Sequence, residues 1–380
     1  MLLRQPTTFW YSVALLVACT IGIGMYGMPY VFAQAGFGVG FLFLIVLTIF
    51  LLTSNLLYGE IILRTHTRHQ FVGYIRRYLG PWAHYLNLFN FWISMYGSFL
   101  GILVVNGKFL SSALATFHLN VSPSVLAISM FLLIAFLAYA GLKTVSHVDL
   151  AVMLVAVAIV FLIGIFGVPH FAWNNFYFST GTAWFLPFGV ILFALNGLNG
   201  IPLMREVLVG KERLYRRAIV WGTLIPAVLY LVFILTVVGV SGQGTSPEAI
   251  SGLLASLGPW IVFIGSLFGF LTSTTIFLSL LTSFRTSLRE DFQLRRKGDF
   301  LLPLLPPLVF FLLGVQNFIG IISLVGGVAV SIDMILLLFV YAKAKNHGDR
   351  IPEYSISIPK FVLYGMMLIF ALGAIYTLVI

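Results

Sequence analysis

Gly24-Met25-Tyr26-Gly27-Met28-Pro29 and Gly197-Leu198-Asn199-Gly200-Ile201-Pro202 carry one pattern, Gly-x-x-Gly-x-Pro, each time inside a long apolar segment. Glycine removes the Cβ penalty for unwound backbone and proline removes a helical donor, so both stretches are expected to break a membrane helix near its middle. The freed amides and carbonyls can then bind a charged substrate or a coupling ion. Paired interruptions at corresponding positions of two halves are the sequence mark of a secondary transporter's binding site.

Outward from these motifs the chain is apolar almost throughout. Of 380 residues, 60% are hydrophobic and 8% are charged, against roughly 25% charged in soluble domains. This excludes a soluble globule and predicts a polytopic, all-α membrane protein whose partner is the lipid bilayer. The single cysteine, Cys19, excludes an intrachain disulfide and a Cys-cluster metal site. Leu16-Val17-Ala18-Cys19 has the form of a lipoprotein cleavage box, but the apolar stretch continues to about Ala35 and cleavage would discard half of the first interrupted helix. The expectation is an uncleaved chain with Cys19 buried in a packed helix.

Windows of about 20 apolar residues predict eleven spans, at 8–35, 38–63, 82–107, 123–142, 147–168, 182–207, 215–240, 257–284, 301–314, 317–341 and 358–379. With the N-terminus in the cytoplasm, every one of the 21 Lys and Arg except Lys108 falls on the inner side, including Arg4, Lys143, Arg295, Arg296 and Lys297. The positive-inside rule thus supports a multi-pass protein of the cytoplasmic membrane with its C-terminus outside. It also accounts for the net charge of +10 without nucleic acid. The basic, aromatic stretch from His66 to Tyr78 reads as an amphipathic helix on the inner surface. The expected architecture is one transporter domain of two five-helix repeats, about 8–168 and 182–341, plus an extra helix at 358–379. Because five is odd, the repeats are inverted, with broken helices 1 and 6.

The candidate substrate contacts are Gly22, Ile23, Gly24, Met25, Tyr26 and Gly27 in helix 1 and Asn196, Gly197 and Asn199 in helix 6. Asn196 and Asn199 either bind substrate or tie off unwound backbone. Tyr96 in helix 3 joins them, although aromatics at such positions also serve packing. The candidate ion contacts are Thr20 and Ile21 with Thr272, Ser273 and Thr275 of helix 8, whose hydroxyls suit Na⁺ or else bond back to the preceding turn. Asp333 in helix 10 and Glu60 in helix 2 are the acids available to carry a proton. Glu60 has Arg64 one turn on, which also suits a local ion pair. The seven His are dispersed and there is no Walker loop, so neither a metal centre, a cofactor nor ATP hydrolysis is expected and the chain reads as no enzyme.

Thr20-Ile21-Gly22-Ile23-Gly24-Met25-Tyr26-Gly27-Met28-Pro29, followed by Ala35-Gly36-Phe37, resembles the first-helix signature of the amino acid/auxin permease group of the amino acid-polyamine-organocation superfamily. The bacterial aromatic (tryptophan/tyrosine) amino acid permeases look most similar. Gly59-Glu60, Leu79-Gly80, Ser273 to Ser279 leading to Asp291, and Leu305-Pro306-Pro307-Leu308 add to the likeness. The resemblance implies an amino acid symporter driven by H⁺ or Na⁺ and working by alternating access, with helices 1, 2, 6 and 7 rocking against the rest. It implies amides near Ile23, Gly24 and Met25 for the substrate carboxylate, carbonyls near Asn196 and Gly197 for its amino group, and Thr272 and Thr275 near a Na⁺ site. Tyr26 is bulkier than the residue usual there, the chain is shorter than the usual aromatic permease, and helix 5 carries no lysine to replace a cation. The alternative of another class is a sensor of the same fold, like the membrane subunit of germinant receptors, which binds amino acids without moving them.

Overall fold

The structure is a computed structural model that describes residues 5–139, 146–181, 183–292 and 298–379. Arg4, Lys143, Arg295, Arg296 and Lys297 of the charge pattern lie outside the described residues, as do the side chains of His147 and Asp291. The described chain is all helical, without a strand. The helices are α1 Gln5–Thr20, α2 Gly24–Ala35, α3 Phe37–Arg64, α4 Phe71–Leu79, α5 Pro81–Ala115, α6 Pro123–Tyr139, α7 Ser146–Gly167, α8 Leu186–Ala194, α9 Gly200–Val207, α10 Tyr215–Ser241, α11 Leu254–Phe292, α12 Gly298–Leu312, α13 Phe318–Leu324, α14 Ser331–His347 and α15 Lys360–Val379. A π-helical segment, Val325–Val330, joins α13 to α14.

All eleven apolar segments of the sequence fall on these helices. Among the described residues six continuous stretches are each long and apolar enough to cross a membrane, and α1 with α2 forms a seventh, bent by 61° at its break. Shorter apolar helical stretches are α6, α12 and, at the end of α7, Val157–His170, and α8 and α9 are the two pieces of the sixth segment. Large apolar side chains stay exposed at helical spacing, as with Leu42, Ile45 and Ile49 on α3 and Phe361, Leu368, Leu372 and Ile375 on α15. In water such stripes would be costly, and in a bilayer they are the lipid face.

Two packing groups organise the interior. In one, α1, α2, α3, α8, α9 and α10 pack on one another; in the other, α5 packs along α11, α6 and α12. The helix α7 bridges α10 and α11, and α14 lies against α3, α4, α5 and α15. The amphipathic α4 turns Phe71, Tyr74, Ile75, Tyr78 and Leu79 inward. Its apolar face is taken by α5 and α14 rather than by lipid. Cys19 departs from expectation: it is exposed. The face of α1 that meets α9 and α10 is formed by Val13, Leu16, Val17 and Thr20, all buried, which leaves Cys19 at the edge of that contact.

The start of α5 and a kink in the first turns of α11, after which the long part of that helix begins, are built alike, a feature the sequence reading missed. Leu79-Gly80-Pro81-Trp82 and Leu257-Gly258-Pro259-Trp260 are the same tetrapeptide. Gly80 has φ 87° and ψ −169°, and Gly258 has φ 78° and ψ 174°. Only glycine holds that conformation readily, and the proline after it suits the first helical position. Both tryptophans are exposed.

Candidate functional site

The first interruption leaves Ile21, Gly22 and Ile23 outside any helix. Ile21 N–H still reaches Val17 O (2.8 Å), while Met25 N–H and Tyr26 N–H turn back to Gly22 O and Ile23 O (both 3.2 Å). The amide of Met25 is therefore engaged. Those of Gly22 and Ile23 donate to no backbone carbonyl among the described residues and sit at the positive end of α2. The second interruption spans 195–199. Gly200 N–H bonds Gly197 O (2.9 Å), Ile201 N–H bonds Leu198 O (3.2 Å), and Leu198 N–H reaches Asn196 Oδ1 (3.4 Å). Asn196 thus helps tie off the unwound backbone, and Asn199 is exposed.

The two interruptions lie against each other because their glycines permit it. A Cβ on Gly24 would stand 2.7 Å from Ala194 Cα, a Cβ on Gly197 would stand 2.5 Å from Thr20 Oγ1, and one on Gly200 would stand 2.9 Å from Leu16 Cδ1. The space at Gly24, Gly197 and Gly200 is thus taken by the opposite broken helix. On the other side, Gly27 is covered by Ile322 of α13 and Gly101 of α5 by Ile23.

One side chain joins both breaks. The Tyr230 hydroxyl, from α10, lies 3.0 Å from Thr20 O and 3.1 Å from Ala194 O. These are the last residues of α1 and α8, whose terminal carbonyls have no helical donor. Tyr230 is fully buried, so its hydroxyl satisfies acceptors that water does not reach. Sequence reading missed it because a lone tyrosine in an apolar helix carries no local signal.

The helix-8 hydroxyls of the sequence reading belong to α11. Thr272 Oγ1 donates to Phe268 O (2.8 Å), Ser273 Oγ to Gly269 O (2.7 Å) and Thr275 Oγ1 to Thr272 O (2.8 Å). Thr20 Oγ1 does the same to Leu16 O (2.8 Å). Their protons are used locally, and each oxygen keeps lone pairs that can face a cation. Two of them also reach across helices: Thr272 hydrogen-bonds the Tyr26 hydroxyl, and Ser273 bonds Asn106 of α5. Tyr26 is buried edge-on against Phe109 and Phe233, with centroids 4.9 and 6.3 Å away. The structure therefore brings Thr272 to the first break. Tyr96 goes elsewhere. Its hydroxyl donates to Leu302 O (3.2 Å) and its ring packs on Phe284, so it joins α5 to α12 and α11.

The two acids have different surroundings. Glu60 is fully buried and fully engaged: Arg64 Nε (2.8 Å) and Ser355 Oγ (3.0 Å) donate to Oε1, and Ile356 N–H (2.7 Å) donates to Oε2. It pins the segment after α14 to the end of α3. Asp333 accepts at Oδ1 from Asn87 Nδ2 (2.9 Å) and Asn90 Nδ2 (2.8 Å) of α5.

The free space is unequal. Met25 and Tyr26 line a void of about 10 Å³ with Phe233, Phe268 and side chains of α7, at the limit of the ~10–15 Å³ that holds a single water. Pro202, Arg205 and Glu206 of α9 line a cavity of about 150 Å³ on the basic face, with Ile62, Arg68, His69, Gln70 and Tyr74. There Arg205, nearly buried, donates to Ile62 O (2.7 Å) and Thr65 O (3.1 Å) at the end of α3. Burial and the Arg77 guanidinium hold the His69 imidazole below its ordinary pKa.

Comparison with known proteins agrees with this geometry. The chain is similar to the "Tyrosine-specific transport system 2" of Haemophilus influenzae, at 24% identity over 94% of this chain and 93% of that protein. The model of the tryptophan/tyrosine permease family matches residues 5–379, and the chain accordingly belongs to the tryptophan/tyrosine permease family of amino acid transporters.

Proposed function

We propose that the protein is an ion-coupled secondary transporter of an aromatic amino acid, working by alternating access in the cytoplasmic membrane with its N-terminus inside. The observation that carries this is the pair of interrupted helices packed closely on each other where Gly24, Gly197 and Gly200 leave room, with Tyr230 spanning their carbonyl ends. The amide of Ile23, and that of Gly22 on leaving the Tyr230 hydroxyl it now meets, would receive the substrate carboxylate at the start of α2. Its ammonium would face carbonyls at 194–197. The aromatic side chain would lie among Tyr26, Phe233 and Phe268, once these part to enlarge the small void between them. The family name and the tyrosine transport system both point to an aromatic substrate.

The helix pairings support an inverted repeat of five helices. Segment 2 packs on segment 10 as segment 7 packs on segment 5, and segment 3 meets 9 as 8 meets 4. The repeated Leu-Gly-Pro-Trp opens segments 3 and 8, which the inverted reading places at opposite membrane faces, where tryptophan favours the interface. The close packing among segments 1, 2, 6 and 7 fits a bundle that moves as a unit.

The test is uptake of labelled tyrosine and tryptophan into proteoliposomes under an imposed H⁺ gradient and, separately, a Na⁺ gradient. Concentrative uptake under one gradient is the expected result. Binding without flux under either would overturn it in favour of a sensor.

A further inference from the structure

Asn87 and Asn90 sit one turn apart on α5 and are almost wholly buried. Each turns its amide N–H₂ to the same oxygen of Asp333, and Asn90 Nδ2 also donates to Ala329 O (2.8 Å) in the π segment. Neither amide oxygen has a partner. Two buried acceptors without donors, beside a carboxyl group that has no cation, are an uncommon expense in a membrane protein. Among the described residues no charged group forms an ion pair with Asp333. On the elements packed around it, Glu60 and Arg64 of α3 hold each other, and Arg77 of α4 holds Asp349. Arg76 of α4 and Lys360 of α15 are exposed. Lys345 of α14 reaches Tyr341 and Ile356 O, and Lys343 is exposed. His84 lies one turn before Asn87, its Nδ1 buried and unpartnered. Two N–H donors are all that the described side chains offer the carboxylate.

We propose that Asp333, Asn87 and Asn90 form the proton-binding site that drives transport. A proton arriving from water adds to the Asp333 carboxylate and makes it a neutral carboxyl. Its one O–H then becomes a donor that the Asn87 oxygen can accept once that amide turns round, while Asn90 keeps its N–H₂ on the acid and on Ala329 O. A metal cation fits this cluster poorly, because both amides present N–H to the acid. Turning Asn90 round would set its oxygen against Ala329 O at the same 2.8 Å.

The cluster reaches the substrate site by direct contact. Asp333 follows the π segment by two residues. That segment lies backbone to backbone on α8: a Cβ on Gly326 would stand 1.8 Å from Gly189 O, and one on Gly189 would stand 2.2 Å from Ser323 O. The helix α8 ends at Ala194, which Tyr230 ties to the first break. A change in the hydrogen bonding of Asn90 therefore acts on the element that carries the second interruption.

This assignment rests on the transport reading, and the experiment separates the two. Proteoliposomes with the parent protein, Asp333→Asn and Asn87→Ala are assayed for tyrosine accumulation under a pH gradient, for tyrosine counterflow without a gradient, and for tyrosine binding. Asp333→Asn should bind and exchange substrate but only equilibrate it, with no accumulation. Asn87→Ala should accumulate substrate with a displaced pH profile, a readout that a merely structural asparagine would not move. Accumulation by Asp333→Asn equal to the parent overturns the site and leaves the transport reading standing. So does a parent driven by Na⁺ alone. Loss of binding and exchange together with accumulation overturns it too, as a structural role. A parent that moves no amino acid overturns the transport reading itself.

Discussion

The two Gly-x-x-Gly-x-Pro motifs are alike in sequence and unlike in surroundings. The first lies inside the protein, with Gly24 through Pro29 all buried and only about 10 Å³ of space beside Tyr26. The second leads from an exposed Asn199 to Pro202 at the wall of a cavity of about 150 Å³. The same pattern thus makes a closed, buried break in one half and the approach to the basic face in the other. A motif fixes where a helix can break, and the neighbouring helices decide what the break is exposed to.

The largest difference is expected at the glycines. In Gly24→Ala the new methyl meets the Cα of Ala194, which cannot move without shifting α8. Transport should be lost and stability should fall by about 1–3 kcal/mol, the usual range for overpacking. In Gly197→Ala the obstacles are side-chain tips, Thr20 Oγ1 and Leu16 Cδ1. Activity should fall partially and recover when Thr20→Ala is added, a non-additivity typical of contacting residues. Uptake assays with thermal melts of the detergent-solubilised variants decide it. Equal losses at both glycines would show that the two breaks are more alike than their neighbours suggest.

Next is the residue that joins the breaks. Tyr230→Phe keeps the ring and removes the donor to Thr20 O and Ala194 O. The two buried carbonyls lose the single proton they share, a loss of about 1–3 kcal/mol where water cannot replace it. Weaker substrate binding and a lower melting temperature are expected together. A variant with parental stability and affinity would mean that water or substrate takes over those carbonyls.

The outcome at these positions also marks how far the sequence could be read. The apolar segments and both interruptions were legible because hydropathy and Gly/Pro chemistry act locally. Thr272 beside the first break was legible too, as a hydroxyl in an otherwise apolar helix. Tyr230, Asn106 and the Asn87–Asn90 pair were not, since their roles depend on carbonyls, a hydroxyl and an acid 36 to 246 residues away. Tyr96 was assigned to the substrate site by depth alone, but its helix turns Gly101 to the break and Tyr96 to α12. The Leu-Gly-Pro-Trp repeat was plain in the sequence and passed unnoticed, because short repeats gain weight only when both copies adopt one conformation.

That repeat sharpens the comparison in the opposite direction. Gly80 and Gly258 share a backbone conformation that glycine alone holds easily, and each has open space where a Cβ would be. Packing therefore does not enter, and Gly80→Ala and Gly258→Ala should each cost about 1–2 kcal/mol of backbone strain. The two losses should be equal within error in melts of the purified variants. Unequal losses would reveal a role for one helix start that its partner lacks.

The smallest effect belongs to Asn196. Its side chain makes one long bond, 3.4 Å to Leu198 N–H, at a partly exposed position. Water can replace that acceptor, so Asn196→Ala should cost about 0.5–1 kcal/mol, the net value of an ordinary hydrogen bond. If Asn196 only ties off backbone, stability falls slightly and the affinity for tyrosine is unchanged. If it also touches substrate, affinity falls about tenfold or more, since 1.4 kcal/mol is a factor of ten. Binding measured beside a melt on the same variant separates the two. The second result would make the exposed break, and not the buried one, the part of the site that supplies side-chain chemistry.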